Sequence, residues 1–162
     1  MSVSLLTVGA SAVEPTYGDI AGHWAEASIE RWSGHGIIQG NNGKFNPNGQ
    51  LTCAHFAAIL ARLLKLPAAK DAGFSDNTPD AWHYDAINRC AAAGILKGNL
   101  NGTVTPNAPI TRERAMVMLG RALGIEPIEN PDLTQFADGA QVASYARGML
   151  AALIRAASIP RA

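Results

Sequence analysis

The chain has 162 residues, and its 13 Lys and Arg balance its 13 Asp and Glu. No block of like charge interrupts this balance, which argues against a nucleic-acid partner and against an acidic tail. Aromatic residues are only 6% of the sequence while Gly and Ala are plentiful, which favours close-packed helices over a β-sandwich.

The N-terminal stretch, residues 1–12, is apolar and ends in Ala10-Ser11-Ala12, which has the small-x-small form of a signal-peptidase site. It lacks the positively charged start of a complete signal. We interpret residues 1–16 as a signal-peptide remnant or an N-terminal tail, with a first structural helix or strand as the alternative. No later stretch has the roughly 18 unbroken apolar residues of a membrane span. We therefore expect an exported protein without a transmembrane segment.

An internal repeat organises the rest of the chain. The recurring segments are residues 19–24 with 76–83, 36–40 with 94–98, 45–47 with 104–106, and 51–52 with 110–111. A third copy begins at Phe136, places Tyr145 where the tryptophans stand, and stops before a second helix. We predict a first repeat at residues 17–67, a second at 74–127 and a partial third at 134–162.

Each full repeat is predicted to be a helix, a loop and a second helix. The first helix runs from about Trp24 to Ser33 in the first copy, and turn formers in residues 40–50 prevent it from continuing. The second helices open after Thr52 and Thr111. Their predicted buried stripes are Phe56, Ile59, Leu60, Leu63 and Leu64 in one copy, and Ala115, Met118, Leu119, Ala122 and Leu123 in the other.

The second helix of the second copy starts with an unusual set of charges. Thr111 can cap the helix, and Arg112 and Arg114 add positive charge to an end that is already partly positive. Such an end suits a bound anion. The alternative is that Glu113 neutralises the pair locally and that both arginines are solvated.

Two copies of one pattern resemble the S-layer homology (SLH) domain, a family that normally occurs as three tandem repeats. The pattern is an acidic residue before a Trp, a helix ending in Gly-Ile-x-x-Gly, an aromatic-x-Pro turn, and a helix start of apolar-Thr-Arg-Ala-Glu. It covers residues 17–65 and 74–124, and partially 136–159. The resemblance implies an all-α fold of tandem helix-loop-helix repeats in a pseudo-threefold arrangement around a central three-helix bundle.

The resemblance also implies a non-catalytic module that anchors proteins to the bacterial envelope by binding an anionic, often pyruvylated, cell-wall polysaccharide or peptidoglycan-linked polymer. The predicted ligand-binding residues are Thr111, Arg112, Arg114, Trp24, Trp82, Gly40 and Gly98. For the last four, structural roles are the favoured interpretation, with ligand contact as the second: the tryptophans as packing anchors, the glycines for backbone conformation. Asp19, Asp76 and Asp138 are expected to cap or brace turns.

This chain departs from the family pattern at both helix starts. Cys53 stands at the arginine position and His55 at the glutamate position, while in the second copy Glu113 replaces the alanine and Arg114 the glutamate. At most one ordinary groove is then expected. The alternative function is a degenerate SLH fold that acts as a scaffold or protein-interaction module, and the incomplete third copy suggests self-association.

Other chemistry is not indicated by the sequence. It has no Ser/His/Asp set, nucleotide loop or metal-ligand spacing, so we expect no enzyme activity, no metal and no cofactor. Cys53 and Cys90 can form a disulfide in an exported protein, or lie buried as two small apolar side chains.

Overall fold

The computed structural model describes residues 16–158, so the predicted signal remnant lies outside the described residues except for Thr16. The helices of the described part are α1 Glu26–Gly34, α2 Cys53–Leu63, α3 Tyr84–Ala92, α4 Arg112–Ala122 and α5 Ser144–Ser158. A 3₁₀ turn, Gly139–Gln141, precedes α5. Residues 16–158 contain isolated β-bridges but no strand, and the predicted all-α class is confirmed. The pseudo-threefold arrangement stays a prediction.

None of the helices between residues 16 and 158 combines the length and apolar character that crossing a membrane requires.

Threonine caps start both second helices, as predicted. The hydroxyl oxygens of Thr52 and Thr111 accept hydrogen bonds from the backbone N–H groups of His55 and Arg114, each at 3.2 Å. The threonine half of a capping box therefore survives in both copies, although the glutamate half is missing. The first helix begins at Glu26, two residues after the predicted Trp24.

The described chain divides into two compact units that meet in sequence between Gly49 and Gln50, called unit 1 and unit 2. In unit 1, the described part holds α1 and the loop that follows it, with Ile20 and Ile29 buried. The Asp19 carboxylate accepts hydrogen bonds from the N–H groups of Phe45 at 2.8 Å and Asn46 at 2.7 Å. This aspartate braces the loop against the turn before α1, as expected for its position.

Unit 2 contains two apolar clusters. The larger cluster joins α2 and α3, and its largest members include Leu60, Ile87, Leu96, Val104 and Met118. The smaller cluster joins α4 and α5 through Val117, Ala146 and Met149. The larger cluster includes Cys53 and Ala54 at the start of α2, and Ile110, two residues before α4, packs against it.

The predicted buried stripes are only partly correct. Leu60 and Met118 are buried, but the outer leucines of both stripes are exposed. The buried face of α2 is instead formed largely by Ala54, Ala57, Ala58 and Ala61. Small side chains allow α2 to approach its neighbours closely, and the bulkier leucines are left at the margin of the contact.

Candidate functional site

The start of α4 has both a side chain and backbone N–H groups without hydrogen-bond partners in the described chain. Arg112 is exposed, and its guanidinium makes no hydrogen bond or ion pair with any residue in the described range 16–158. Within the same range, the backbone N–H groups of Arg112 and Glu113 have no acceptor. Unpaired N–H groups in the first turn carry partial positive charge. Together these groups can receive a carboxylate or a similar anion.

The two charged neighbours of Arg112 are engaged elsewhere. Glu113 Oε1 accepts a hydrogen bond from the N–H of Ala143, directly before α5, at 3.2 Å. Arg114 donates from Nη1 to Thr105 Oγ1 at 3.1 Å and from Nη2 to the Val104 carbonyl at 2.9 Å. Within residues 16–158, Glu113 therefore forms no ion pair with either arginine, and its neutralisation of their charge stays an alternative. Arg114 braces a loop in this structure, so its predicted role in ligand binding would require those two bonds to be shared or broken.

The equivalent start of α2 is closed. Cys53 is fully buried. Its N–H donates to the Ala108 carbonyl at 3.1 Å, and the N–H of Ala54 donates to the Pro106 carbonyl at 2.9 Å. In α2, carbonyls from a loop of the second repeat thus accept hydrogen bonds from the first-turn N–H groups. The equivalent N–H groups of α4 have no acceptor in the described chain. The first repeat offers neither a cation at position 53 nor free backbone donors there for an anion.

Asp76 holds that loop in place. Its carboxylate accepts hydrogen bonds from the N–H groups of Val104 and Thr105, both at 2.8 Å. The geometry repeats that of Asp19 in unit 1. One carboxylate and the Arg114 guanidinium therefore position the segment that caps α2.

Trp24 and Trp82 are surface residues. Trp24 is 90% exposed and Trp82 is 59% exposed, so the interpretation as a packing anchor is wrong for Trp24. The His55 ring lies 5.1 Å from the Trp82 ring, measured between centroids, and covers part of it. Nothing in the local sequence indicated this contact, because His55 and Trp82 belong to different repeats.

Gly40 and Gly98 are required for close approach and not, as predicted, for an unusual backbone conformation. Neither has a positive φ. A Cβ on Gly40 would overlap the Lys44 carbonyl oxygen, and a Cβ on Gly98 would overlap the Phe74 ring and lie 2.9 Å from the Thr103 carbonyl oxygen. Each glycine lets an aromatic ring and a loop carbonyl meet at the base of its loop; a direct ligand contact stays a prediction.

Comparison with known proteins decides the family. The family model of the S-layer homology domain matches residues 16–57 and 73–113. The chain belongs to the S-layer homology domain family. In the proteins that carry it, the SLH domain serves as an anchor to the cell wall. The third, partial SLH repeat lies beyond these two matches and stays a prediction.

Relatives of this SLH chain are much longer proteins. The Surface-layer 125 kDa protein of Lysinibacillus sphaericus is 34% identical over 91% of this chain and 12% of its own length. An Amylopullulanase of Thermoanaerobacterium thermosulfurigenes is 32% identical over 85% of this chain and 8% of its own length. The Exoglucanase XynX of Acetivibrio thermocellus is 30% identical over 84% and 13%. The chain thus spans only about a tenth of these relatives.

A buried polar network lies behind the exposed Trp82 of the second SLH repeat. Asn77, His83 and Asn88 are all buried. His83 Nδ1 lies 3.0 Å from Asn77 Oδ1, and Asn88 Oδ1 accepts from Asn77 Nδ2 at 3.3 Å and from the N–H of Ala72 at 3.1 Å. The network ties the connector before the second repeat to α3. Polar residues give no apolar periodicity, which is why the sequence did not mark them as core.

The pH dependence of stability is expected to report on His83. Burial lowers the pKa of His83, the nearby His55 lowers it further, and Asp76 raises it in part. The unfolded chain therefore takes up this proton more readily than the native protein as the pH falls below the ordinary histidine value of about 6.5. Stability due to neutral His83 is complete above that pH and is lost as the pH falls towards the native pKa.

Urea unfolding at pH 7.5 and at pH 5.5 tests this expectation. The parent should lose more stability between these pH values than the His83→Gln variant, which retains a polar side chain but cannot take up the proton. The other histidines are present in both proteins, so the comparison isolates His83 together with its interaction with His55. The same loss in parent and variant would contradict the expectation.

Both cysteines of the SLH chain are free, buried thiols. Cys90 Sγ donates to the Ala57 carbonyl at 3.3 Å, and burial, together with the neighbouring Cys53, raises the pKa of Cys90 to about 12. Burial also raises the pKa of Cys53. Neither thiol is poised for nucleophilic or metal chemistry. Across residues 16–158, no group of three or more His, Cys, Asp or Glu is arranged to hold a metal ion.

Proposed function

We propose that this SLH chain is a non-catalytic anchoring module of an exported, cell-surface protein, and that it binds an anionic, pyruvylated cell-wall polysaccharide at the start of α4. One observation carries the proposal. The guanidinium of Arg112 is exposed and unpaired within residues 16–158, beside two backbone N–H groups that also lack an acceptor there.

The chemistry of a pyruvylated sugar suits this end of α4. A ketal-linked pyruvate presents one carboxylate, which a guanidinium and helix N–H groups bind with charge-assisted hydrogen bonds. The Thr111 hydroxyl already accepts from the Arg114 N–H, and its own proton is available for a sugar oxygen. A cation in the first turn costs up to ~1 kcal/mol against the helix dipole. A bound anion removes that cost.

The remaining predicted residues fit a supporting role in this proposal. Trp24 and Trp82 are exposed enough to offer flat apolar faces to sugar rings. Gly40 and Gly98 keep the loops of the two repeats closely packed. Anchoring is also consistent with relatives named as a surface-layer protein and as polysaccharide-degrading enzymes.

Arg112→Ala is expected to weaken binding to purified wall polymer by about ten- to a hundredfold, the range for losing a charged hydrogen-bonding group. Its free energy of unfolding should change by less than about 0.5 kcal/mol, because the side chain is exposed and has no partner in the described chain. Co-sedimentation with sacculi measures the binding, before and after acid removal of pyruvate. Arg155→Ala, an exposed arginine near the other end of the helix pair, is the matched control and should bind like the parent.

Equal binding by the Arg112→Ala variant and the parent would contradict the proposed site. Equal binding before and after pyruvate removal would contradict the proposed ligand while leaving Arg112 open to another acidic sugar.

A scaffold or protein-interaction module is the second candidate function. It is favoured by the closed start of α2, where Cys53 is buried and the loop carbonyls of Pro106 and Ala108 occupy the backbone donors. A parent chain that fails to sediment with untreated sacculi would support this function over polymer binding.

A further inference from the structure

The second SLH repeat shows how one repeat receives the second helix of another. The loop carbonyls of Pro106 and Ala108 accept the first two N–H groups of α2. Leu51, just before α2, returns a bond, since its carbonyl accepts from the N–H of Ile110 at 2.9 Å. The ring of Trp82 faces His55 in the first turn of the same helix. Two carbonyls and one indole face thus form an acceptor surface for a helix start.

Unit 1 carries the same acceptor surface without an occupant in the described chain. Pro47 and Gly49 stand where Pro106 and Ala108 stand in the second repeat, and Trp24 stands where Trp82 does. Within residues 16–158, neither carbonyl receives a hydrogen bond. Trp24 is 90% exposed, against 59% for its counterpart that His55 covers.

The loop of unit 1 is already held in the receiving conformation. Asp19 fixes its first two residues through the N–H groups of Phe45 and Asn46, just as Asp76 fixes the loop that caps α2. The N–H of Gly49 bonds back to the Asn46 carbonyl at 2.9 Å, which closes the turn. Because this loop is already ordered, binding a partner would cost little of its conformational entropy.

We propose that the surface formed by Trp24 and the carbonyls of Pro47 and Gly49 docks the start of an SLH-type second helix from a separate polypeptide segment. The occupant has an apolar residue and a capping threonine, followed by two free N–H groups and a flat side chain in the first turn. This is the chemistry with which residues 51–55 occupy the second repeat. The proposal goes beyond polymer binding, since Arg112 and α4 take no part in it.

A labelled peptide that copies residues 50–65, with Cys53→Ser and a side-chain lactam in its last turn to maintain the helix, tests the proposal by fluorescence anisotropy against the full chain. The peptide should bind saturably. Trp24→Ala in the protein should weaken binding by about two- to tenfold, the range for an aromatic contact. Trp82→Ala is the matched control and should leave peptide binding unchanged, because the surface that contains Trp82 already holds α2.

A second peptide with Cys53→Pro removes the first N–H donor at the position where proline best fits a helix. It should remain helical by circular dichroism and bind about two- to tenfold more weakly than the Cys53→Ser peptide, as expected for one lost hydrogen bond. Failure of the helical parent peptide to bind, equal effects of the two tryptophan variants, or equal binding by the two peptides would each overturn the proposal.

Discussion

Asp76→Ala is expected to lower the free energy of unfolding by about 2–4 kcal/mol, because two backbone donors lose a charged acceptor. One of them, the N–H of Val104, belongs to a fully buried residue, and its bond to Asp76 is partly buried. The loop that Asp76 holds also supplies the carbonyls of Pro106 and Ala108 that cap α2. Its release should therefore weaken the start of α2 as well as the loop itself.

Urea unfolding followed by circular dichroism measures this loss. Asp80→Ala is the control, since Asp80 is exposed and, among the described residues, its carboxylate bonds within its own turn, through Thr78. It should cost less than about 0.5 kcal/mol. Asp76→Asn keeps one acceptor oxygen and should fall between the parent and Asp76→Ala. An Asp76→Ala variant as stable as the parent would show that the loop holds its position without the carboxylate.

Gly98→Ala is expected to destabilise the protein by about 1–3 kcal/mol through overpacking. The added methyl would overlap the Phe74 ring and approach the Thr103 carbonyl oxygen, so the base of the loop would have to open. The measurement is the midpoint of thermal or urea unfolding. Gly34→Ala is the matched control, because a Cβ there meets nothing within 4 Å; it should be neutral or slightly stabilising.

A double substitution separates the two contacts that Gly98 permits. Phe74→Leu in the Gly98→Ala background removes the ring that the methyl overlaps, but leaves the Thr103 carbonyl. The two substitutions should therefore cost less together than the sum of their separate costs. Strict additivity would contradict the steric explanation and point instead to the backbone.

Local features of the fold could be predicted from the sequence. The threonines that cap α2 and α4 are recognised by the residue types around them, because an N-cap bond joins residues three positions apart. The repeats follow from self-similarity along the chain, which needs no knowledge of contacts. Close packing was also predicted from the many alanines, yet the outer leucines of α2 and α4 were wrongly expected to be buried.

The candidate site was predicted only in part, for the same reason. Arg112 could be selected because it is the one helix-start arginine that keeps the family position. The hydrogen bonds of Glu113 to Ala143 and of Arg114 to Val104 could not be predicted. Both partners lie outside the helical turn that contains Glu113 and Arg114. The sequence left open whether Trp24 and Trp82 pack or are exposed, because an aromatic residue at the head of an apolar helix has the same local pattern in both cases.

By itself the sequence determined the all-α class, the repeats, the capping threonines, the loss of an arginine at Cys53 and the choice of Arg112. Each depends on residue identity or on neighbours within a helical turn. Only the tertiary structure decided which backbone donors are filled and which stay open, because a loop carbonyl reaches a helix start through folding and not through adjacency. The start of α2 is closed by Pro106 and Ala108 and the start of α4 is open within the described chain. That difference is why we propose Arg112 as the leading ligand contact.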